Sequence, residues 1–498
     1  MSNPLKSLLG QTAVYGLPTI LGRLLNYLLV PLYTGAFSDP KDYGVISELY
    51  AVVAFLMVLL TFGMETSFFK FFNDKENKNE VFSNSFLTVI GFNVVFLLML
   101  LLFNQSIANA MMYPDHNEYI ILLGIIVSID AITALPMAKL RSENNAKKFS
   151  IIHFSAIIVN VGLNLIFMLL IFDSSRPEEG ILFILVANLL SSSVKILGTY
   201  QDFLRIKWAY NKELAREMLK YSFPLVIAGF AGIVNETLDR VMLKHLLHSR
   251  GGMSLKDALT QLGIYSACYK LAMIVSIFLQ AYRYAAEPFF FSHSKGQERN
   301  KLYIKIMNYF IAAVCIVFLG VALNIDIFKY FIRNEAYWAG LGVVPILLVA
   351  NVFLGIYFNQ SIWYKLSGQT RFGAYIAIGG ATVTILINFI FIPIYGFWAS
   401  AWATLIVYGI QMVASYLLGQ KYYRINYNLR KFGLYFGLAI VLFLIAYMVN
   451  MDGYSDGFRQ ADKSAFTWTK FFFHNFLILF YVGVVWFIEK PTTAKRLT

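Results

Sequence analysis

Ionisable side chains stand inside stretches of this chain that are otherwise apolar. Each costs free energy there unless it meets water, an ion or an opposite charge. Arg23 lies in the middle of the apolar segment 11–34, with Asn26 one turn on and no acid three or four residues away. A guanidinium without a local partner suits an anion or a water-filled path, and its forked donors match a phosphate. The competing reading is an ion pair with Glu48, Glu65 or Asp130 from another helix. Glu236, Asp239 and Arg240 lie close together in segment 218–246, and the acid-first spacing of Glu236 and Arg240 favours a local bridge. Arg283 and Glu287 repeat that spacing and read as structural. Lys270 has no acid so placed, and it joins Arg23, Asn26 and Arg240 as a candidate for substrate contact. Glu48, Asp130, Glu236 and Asp239 are candidates either for holding a proton or cation or for neutralising a base. Acids outnumber bases among these residues, which by itself makes the path neither anionic nor cationic.

Other chemistry is missing from the chain. It has no G-x-x-x-x-G-K-[ST], G-x-S-x-G or H-E-x-x-H motif, and no soluble stretch large enough to house an active site. His245 and His248 are three apart without a Cys or third ligand nearby, so no metal site is expected. Cys268 and Cys315 fall in apolar segments and read as buried thiols. The expectation is a non-enzyme with no cofactor.

The elements that must position these residues follow from composition. The chain is 58% hydrophobic and 14% charged over 498 residues. Soluble domains carry about 25% charged residues, so this chain cannot cover its surface in water. Its apolar runs are long enough to cross a bilayer as helices. Their lengths predict about fourteen spans, near 11–34, 43–72, 81–104, 118–140, 149–172, 180–202, 218–246, 257–291, 301–324, 342–366, 371–394, 396–421, 430–450 and 467–489. The first is too long for a signal-peptide core and reads as a retained span. The net charge of +13 does not indicate nucleic acid, because the bases sit in short loops between spans. About 27 of the 41 Lys and Arg fall on one side, which predicts both termini in the cytoplasm.

The chain also repeats itself. Tyr15-Gly16-Leu17-Pro18 is matched by Tyr221-Ser222-Phe223-Pro224, and Gly44, Ser47 and Tyr50 by Gly263, Ser266 and Tyr269. Leu163-Asn164-Leu165-Ile166-Phe167 is matched by Ile387-Asn388-Phe389-Ile390-Phe391. Six spans per copy makes the repeats parallel. The expected organisation is an N-terminal lobe at 1–202, a cytoplasmic linker helix at 203–217, a C-terminal lobe at 218–421, and two further helices with a tail at 422–498. Pro18 and Pro224 are candidate hinges, weighed against the ordinary use of proline in membrane helices. Asn164 and Asn388 are expected to bond between helices. Tyr265 and Tyr269 are further candidates to line a sugar path. Arg23 has no counterpart: Gly229 stands at its aligned place.

Leu17-Pro18 with Gly22-Arg23, Pro31-Leu32-Tyr33 and Tyr43-Gly44 resembles the start of bacterial polysaccharide flippases of the multidrug/oligosaccharidyl-lipid/polysaccharide exporter superfamily. Asp239-Arg240, Gly263-Ile264-Tyr265-Ser266, Tyr269-Lys270, and Asn388 with Pro393 and Gly396 extend the likeness through the second half. The resemblance implies an alternating-access transporter in the bacterial plasma membrane that moves undecaprenyl-pyrophosphate-linked oligosaccharide between leaflets. It implies no cofactor, with membrane lipids, a polysaccharide polymerase and glycosyltransferases as partners. Arg23 matches, by position, a first-helix arginine that holds pyrophosphate in relatives that flip lipid-linked peptidoglycan precursor. Rival readings are a flippase of that precursor, a cation-coupled multidrug exporter of the same superfamily, and a non-transporting scaffold for glycan assembly.

Overall fold

The computed structural model describes residues 21–22, 24–25, 27–206, 208–292, 299–449 and 467–490, with the side chains of 284–285, 287–289 and 291–292 set aside. The described residues form helices and no strand. After a short α1 (Val30–Ala36) come α2 (Pro40–Thr61), α3 (Met64–Asp74), α4 (Lys78–Ala110), α5 (Asn117–Ser142), α6 (Ala146–Ile166) and α7 (Pro177–Leu204). There follow α8 (Lys212–Ser249), α9 (Leu255–Ser292), α10 (Arg299–Leu323), α11 (Val343–Gln360), α12 (Arg371–Tyr395), α13 (Phe397–Tyr422), α14 (Leu429–Met448) and α15 (Trp468–Glu489). Thirteen helices among the described residues are long and apolar enough to cross a membrane. They match the expected second to fourteenth spans one for one. Half of the expected first span lies outside the described residues, Pro18, Arg23 and Asn26 among them.

Short polar loops start these helices. Asp39 accepts from the Lys41 amide with Pro40 at the first helical position, and Asn77, Asn145, Asn211 and Asn428 each accept from amides two or three residues on. Such caps satisfy amides that lipid could not. A left-handed break falls inside the second expected span. Phe62 (φ 47°) and Gly63 (φ 63°) are left-handed and divide α2 from α3. Leu102, Leu170 and Leu197 are more than two-thirds exposed, as suits lipid-facing side chains.

The expected linker helix does not form. Helix α7 ends at Leu204, the described residues up to Tyr210 are non-helical, and α8 runs unbroken from Lys212 into the seventh span. The reason is local. The Asn211 side chain caps the Glu213 and Leu214 amides and so fixes the helix start there.

The chain divides into two compact units. The first comprises Met1–Gly263 and Ala377–Gly396. Its interior is polar as well as apolar. Tyr33 donates to Asn164 at 2.9 Å, the Asn164 amide donates to the Asn160 carbonyl at 2.8 Å, and Asn160 donates to Asn188 at 2.8 Å. Asn188 in turn bonds Tyr50. Asn164 thus makes the expected inter-helix bond. Asn388 instead donates to the Thr384 carbonyl of its own helix, and its buried Oδ1 has no partner among the described residues.

The second unit comprises Ile264–Ile376 and Phe397–Thr498. Helix α11 lies at its centre, packed against α10 and α13. Tyr265 and Tyr269 are buried here, with Tyr265 edge-on to Tyr269 and stacked with Phe397, so both are core rather than path-lining. Cys268 and Cys315 are buried free thiols. Helix α15 is tied to α14 by Glu489, which accepts from Lys431 and Tyr435, each at 2.5 Å.

Candidate functional site

In the first unit, α2 and α8 are clamped by a fully buried ion pair. Lys244 Nζ lies 2.5 Å from Glu48 Oε2, with neither side chain exposed. The ammonium also donates to the Met111 carbonyl at 2.6 Å and stands 4.1 Å from the centre of the Tyr113 ring. Tyr113 donates to the same carboxylate oxygen at 2.5 Å. Tyr113 sits in the loop after α4, where burial, and then the Glu48 charge, push its phenol well above the ordinary range and keep it a donor. Glu48 Oε1 receives no hydrogen bond from the described residues, although His245 Nδ1 is 3.6 Å away. Burying two charges is costly, and the extra donors are what offset it.

Beside this pair the backbones touch. A Cβ on Gly44 would fall 2.2 Å from the Leu259 carbonyl oxygen, and one on Gly263 would fall 1.8 Å from that of Pro40. Only glycine permits such an approach. Asp39 draws the same ends together, with Lys256 Nζ at 3.3 Å and Thr260 Oγ1 at 3.5 Å.

A second pair joins α5 to α7. Lys195 Nζ and Ser192 Oγ donate to Asp130 Oδ1 at 2.8 and 2.7 Å, beside a cavity of about 60 Å³ whose polar lining also includes Tyr50 and Asn188. Glu65 pairs with Arg141, and Asp202 with Lys139 at 2.7 Å. Arg240 donates to the Glu236 main-chain carbonyl at 2.8 Å and lies 3.6 Å from the Asp239 carboxylate. The expected Glu236–Arg240 bridge is therefore replaced. The guanidinium turns to the adjacent acid and to the backbone, and the Glu236 side chain stays exposed. Among the described residues, no hydrogen bond or ion pair reaches the Glu236 carboxylate.

The break at Phe62–Gly63 packs on Ser222, Phe223 and Leu225, the residues that flank Pro224 in α8. Ser222 donates to the Gly63 carbonyl at 3.4 Å, and a Cβ on Gly63 would meet Ser222 and Leu225. Two weak points on neighbouring helices thus lie side by side. Lys270 is half-buried on α9 in the second unit. Arg283 stacks 4.3 Å from the centre of the Phe358 ring, and the side chain of Glu287 is outside those described. The described residues hold no cluster of three metal-ligating side chains.

Glu48, Asp130 and Asp239 are thus charge partners. Asp130 is not alone in its span's surroundings, because a base from α7 reaches it. Lys195 and Lys244 were missed as partners although both lie within expected spans. Adding these two to the four bases named from the sequence brings them level with the six acids named there.

A family model of polysaccharide biosynthesis proteins matches residues 8–294, more than half of the chain. The chain belongs to that family. Comparison with curated protein sequences finds no match. Among solved structures, the lipid II flippase MurJ in an inward-closed conformation is similar over 95% of this chain and 99% of its own, with TM-score 0.68 and 14% identity. An inward-facing multidrug resistance MATE transporter of the MOP superfamily is similar over 82% of this chain and 94% of its own, with TM-score 0.61 and 15% identity. An outward-facing MATE structure gives TM-score 0.57 and 15% identity over 83% of this chain and 95% of its own. At these identities the likeness is one of fold: the polytopic helical fold expected from the sequence.

Proposed function

We propose that this chain is a flippase that carries a lipid-linked oligosaccharide, joined to its polyprenyl carrier by a pyrophosphate, across the bacterial plasma membrane for surface polysaccharide synthesis. One observation carries the choice over a cation-coupled drug exporter. The acids Glu48, Glu65, Asp130 and Asp239 each have a basic partner, so they offer no free negative charge to a cationic drug or coupling ion. Glu236 is the acid that keeps the exporter reading testable. Family membership supports a role in polysaccharide biosynthesis. The similarity to a structure named as a lipid II flippase supports a lipid-linked substrate and leaves the peptidoglycan precursor as the second reading. A scaffold would have no need to bear the cost of so many charges inside the membrane.

In this reading the chain works without a cofactor or catalytic residue. Its lobes are 1–202 and 218–421, both termini face the cytoplasm as the Lys and Arg loops require, and a polymerase and glycosyltransferases act beside it. Arg23, with Asn26, binds the pyrophosphate, and Lys270 and the Asp239-paired Arg240 are the further candidates for substrate contact. The Glu48–Lys244 pair and the Gly44–Gly263 contact close the external end. Flexing at Phe62–Gly63 and Pro224, and at Pro18, lets the lobes alternate.

The test is lipid-linked glycan on each leaflet of cells that carry the gene or its variants. Arg23→Ala should leave glycan at the inner leaflet, and Arg23→Lys should rescue only part of the transfer. Normal transfer by Arg23→Ala at normal protein level removes the site assignment. Drug hypersensitivity of a deletion strain with intact surface glycan would instead favour the exporter.

A further inference from the structure

In the second unit, a groove of about 170 Å³ opens where α10, α11, α13 and α14 meet. Its walls are apolar, with Met307, Ile311, Ile356 and Phe432 among them, and Val413 and Leu429 at its rim are about half exposed. In a protein whose solvent is lipid, such a rim faces acyl chains. Asn308, Gln360, Tyr416, Tyr427 and Asn428 bring polar groups to the lining, and two of these groups are orphaned. Gln360 is 5% exposed, and among the described residues neither its buried Oε1 nor the buried Tyr427 hydroxyl has a hydrogen-bond partner. Buried polar atoms ordinarily find partners, and two orphans in one apolar groove point to a ligand that supplies them.

The mouth is cationic. Helix α14 begins at Leu429 with Arg430 and Lys431 in its first turn and no acid there. Bases at a helix N-terminus oppose the macrodipole, an arrangement that an anion at that end relieves. Lys431 is partly neutralised by Glu489, while Arg430 is exposed. Loop residue Arg424 adds a further exposed base on the sequence just before this helix.

We propose that this groove is a binding site for one acyl chain and the ester region of an anionic glycerophospholipid. The chain fills the apolar part. Tyr427 Oη and the Gln360 amide, which can present its NH₂ by a simple flip, donate to ester carbonyls. The headgroup phosphate lies by Arg430 at the N-terminus of α14. The site is separate from the charged residues of the first unit and does not depend on the flippase reading.

The full-length protein, purified in detergent and stripped of lipid, is offered equal phosphatidylglycerol and phosphatidylcholine and weighed by native mass spectrometry. The wild type should retain one phosphatidylglycerol in preference. Val413→Trp, which fills the groove, should lose retention of both lipids. Arg430→Gln should lower the headgroup preference roughly fivefold while leaving phosphatidylcholine unchanged. Gln360→Leu should weaken retention of both lipids, and it stands in should Val413→Trp fail to fold. The site is overturned if a folded Val413→Trp, or Gln360→Leu, retains lipid as the wild type does. It is equally overturned if Arg430→Gln keeps the full preference, or if a polyprenyl phosphate offered alongside displaces phosphatidylglycerol.

Discussion

Helix α2 and the start of α9 descend from one repeated pattern and have been put to different uses. Gly44 and Gly263 hold the same place in each copy, and each meets the other across the contact: Cβ atoms on them would lie 3.2 and 3.1 Å from the opposite glycine nitrogen. From that shared point the copies diverge. Ser47 donates to the Tyr43 carbonyl at 2.8 Å, whereas the buried Ser266 Oγ has no partner among the described residues. Tyr50 is 38% exposed and bonded to Asn188, whereas Tyr269 is packed into the second unit's core. Glu48, the anchor of the buried ion pair, aligns with Ala267, which is fully buried. One copy became a charged clamp and the other an apolar support. Duplication preserved the close helix contact because backbone geometry demands glycine there. The polar chemistry was free to change in one copy.

Removing the clamp should have the largest effect. Lys244→Ala leaves the Glu48 carboxylate buried and unpaired, at a cost of about 3–5 kcal/mol. A fall in the melting temperature of the detergent-purified protein measures it. The double variant Glu48→Ala with Lys244→Met, which makes position 48 resemble Ala267, should recover most of the loss. Failure to recover would mean that the clamp is not what distinguishes the copies.

Gly263→Ala comes next. Its Cβ meets backbone rather than a movable side chain, so the helix ends must part, with a loss of about 1–3 kcal/mol. A cysteine placed at Thr260 should react faster with a membrane-impermeant thiol reagent in this variant. An unchanged labelling rate would show that the contact does not close that end.

Asp130→Asn should cost less, about 1 kcal/mol, since that pair is a quarter exposed and Ser192 can still donate. Double-mutant cycles with Lys195→Met test whether the two are coupled at all.

The smallest effect on stability belongs to Glu236→Gln, within about 0.5 kcal/mol, because no partner is lost. Its effect on glycan transfer and on drug susceptibility should then report function alone. Hypersensitivity to cationic drugs in this variant would turn the reading toward an exporter.

Much of the fold was legible because membrane helices are set by local rules. Run length placed the spans, and Asn or Asp caps in short loops placed their starts. The linker helix expected at 203–217 was not legible, because a single side chain, Asn211, decides where the helix begins. The site was less legible. Arg240 had Glu236 at ideal spacing and Asp239 beside it, and spacing alone could not weigh a backbone carbonyl against a carboxylate. Asp130 looked solitary because its partner lies 65 residues away on another helix.

The sequence by itself determined the membrane as solvent, the second to fourteenth spans and the residues that must be reckoned with inside the bilayer. Those follow from composition and from periods along one chain. Only the tertiary structure decided that Glu48 belongs to Lys244, that Asp130 belongs to Lys195 and that Glu236 belongs to nothing described. Pairing between helices depends on their rotation and depth, and a shift of one residue turns a side chain about 100° around its axis. No pattern along a single helix carries that information.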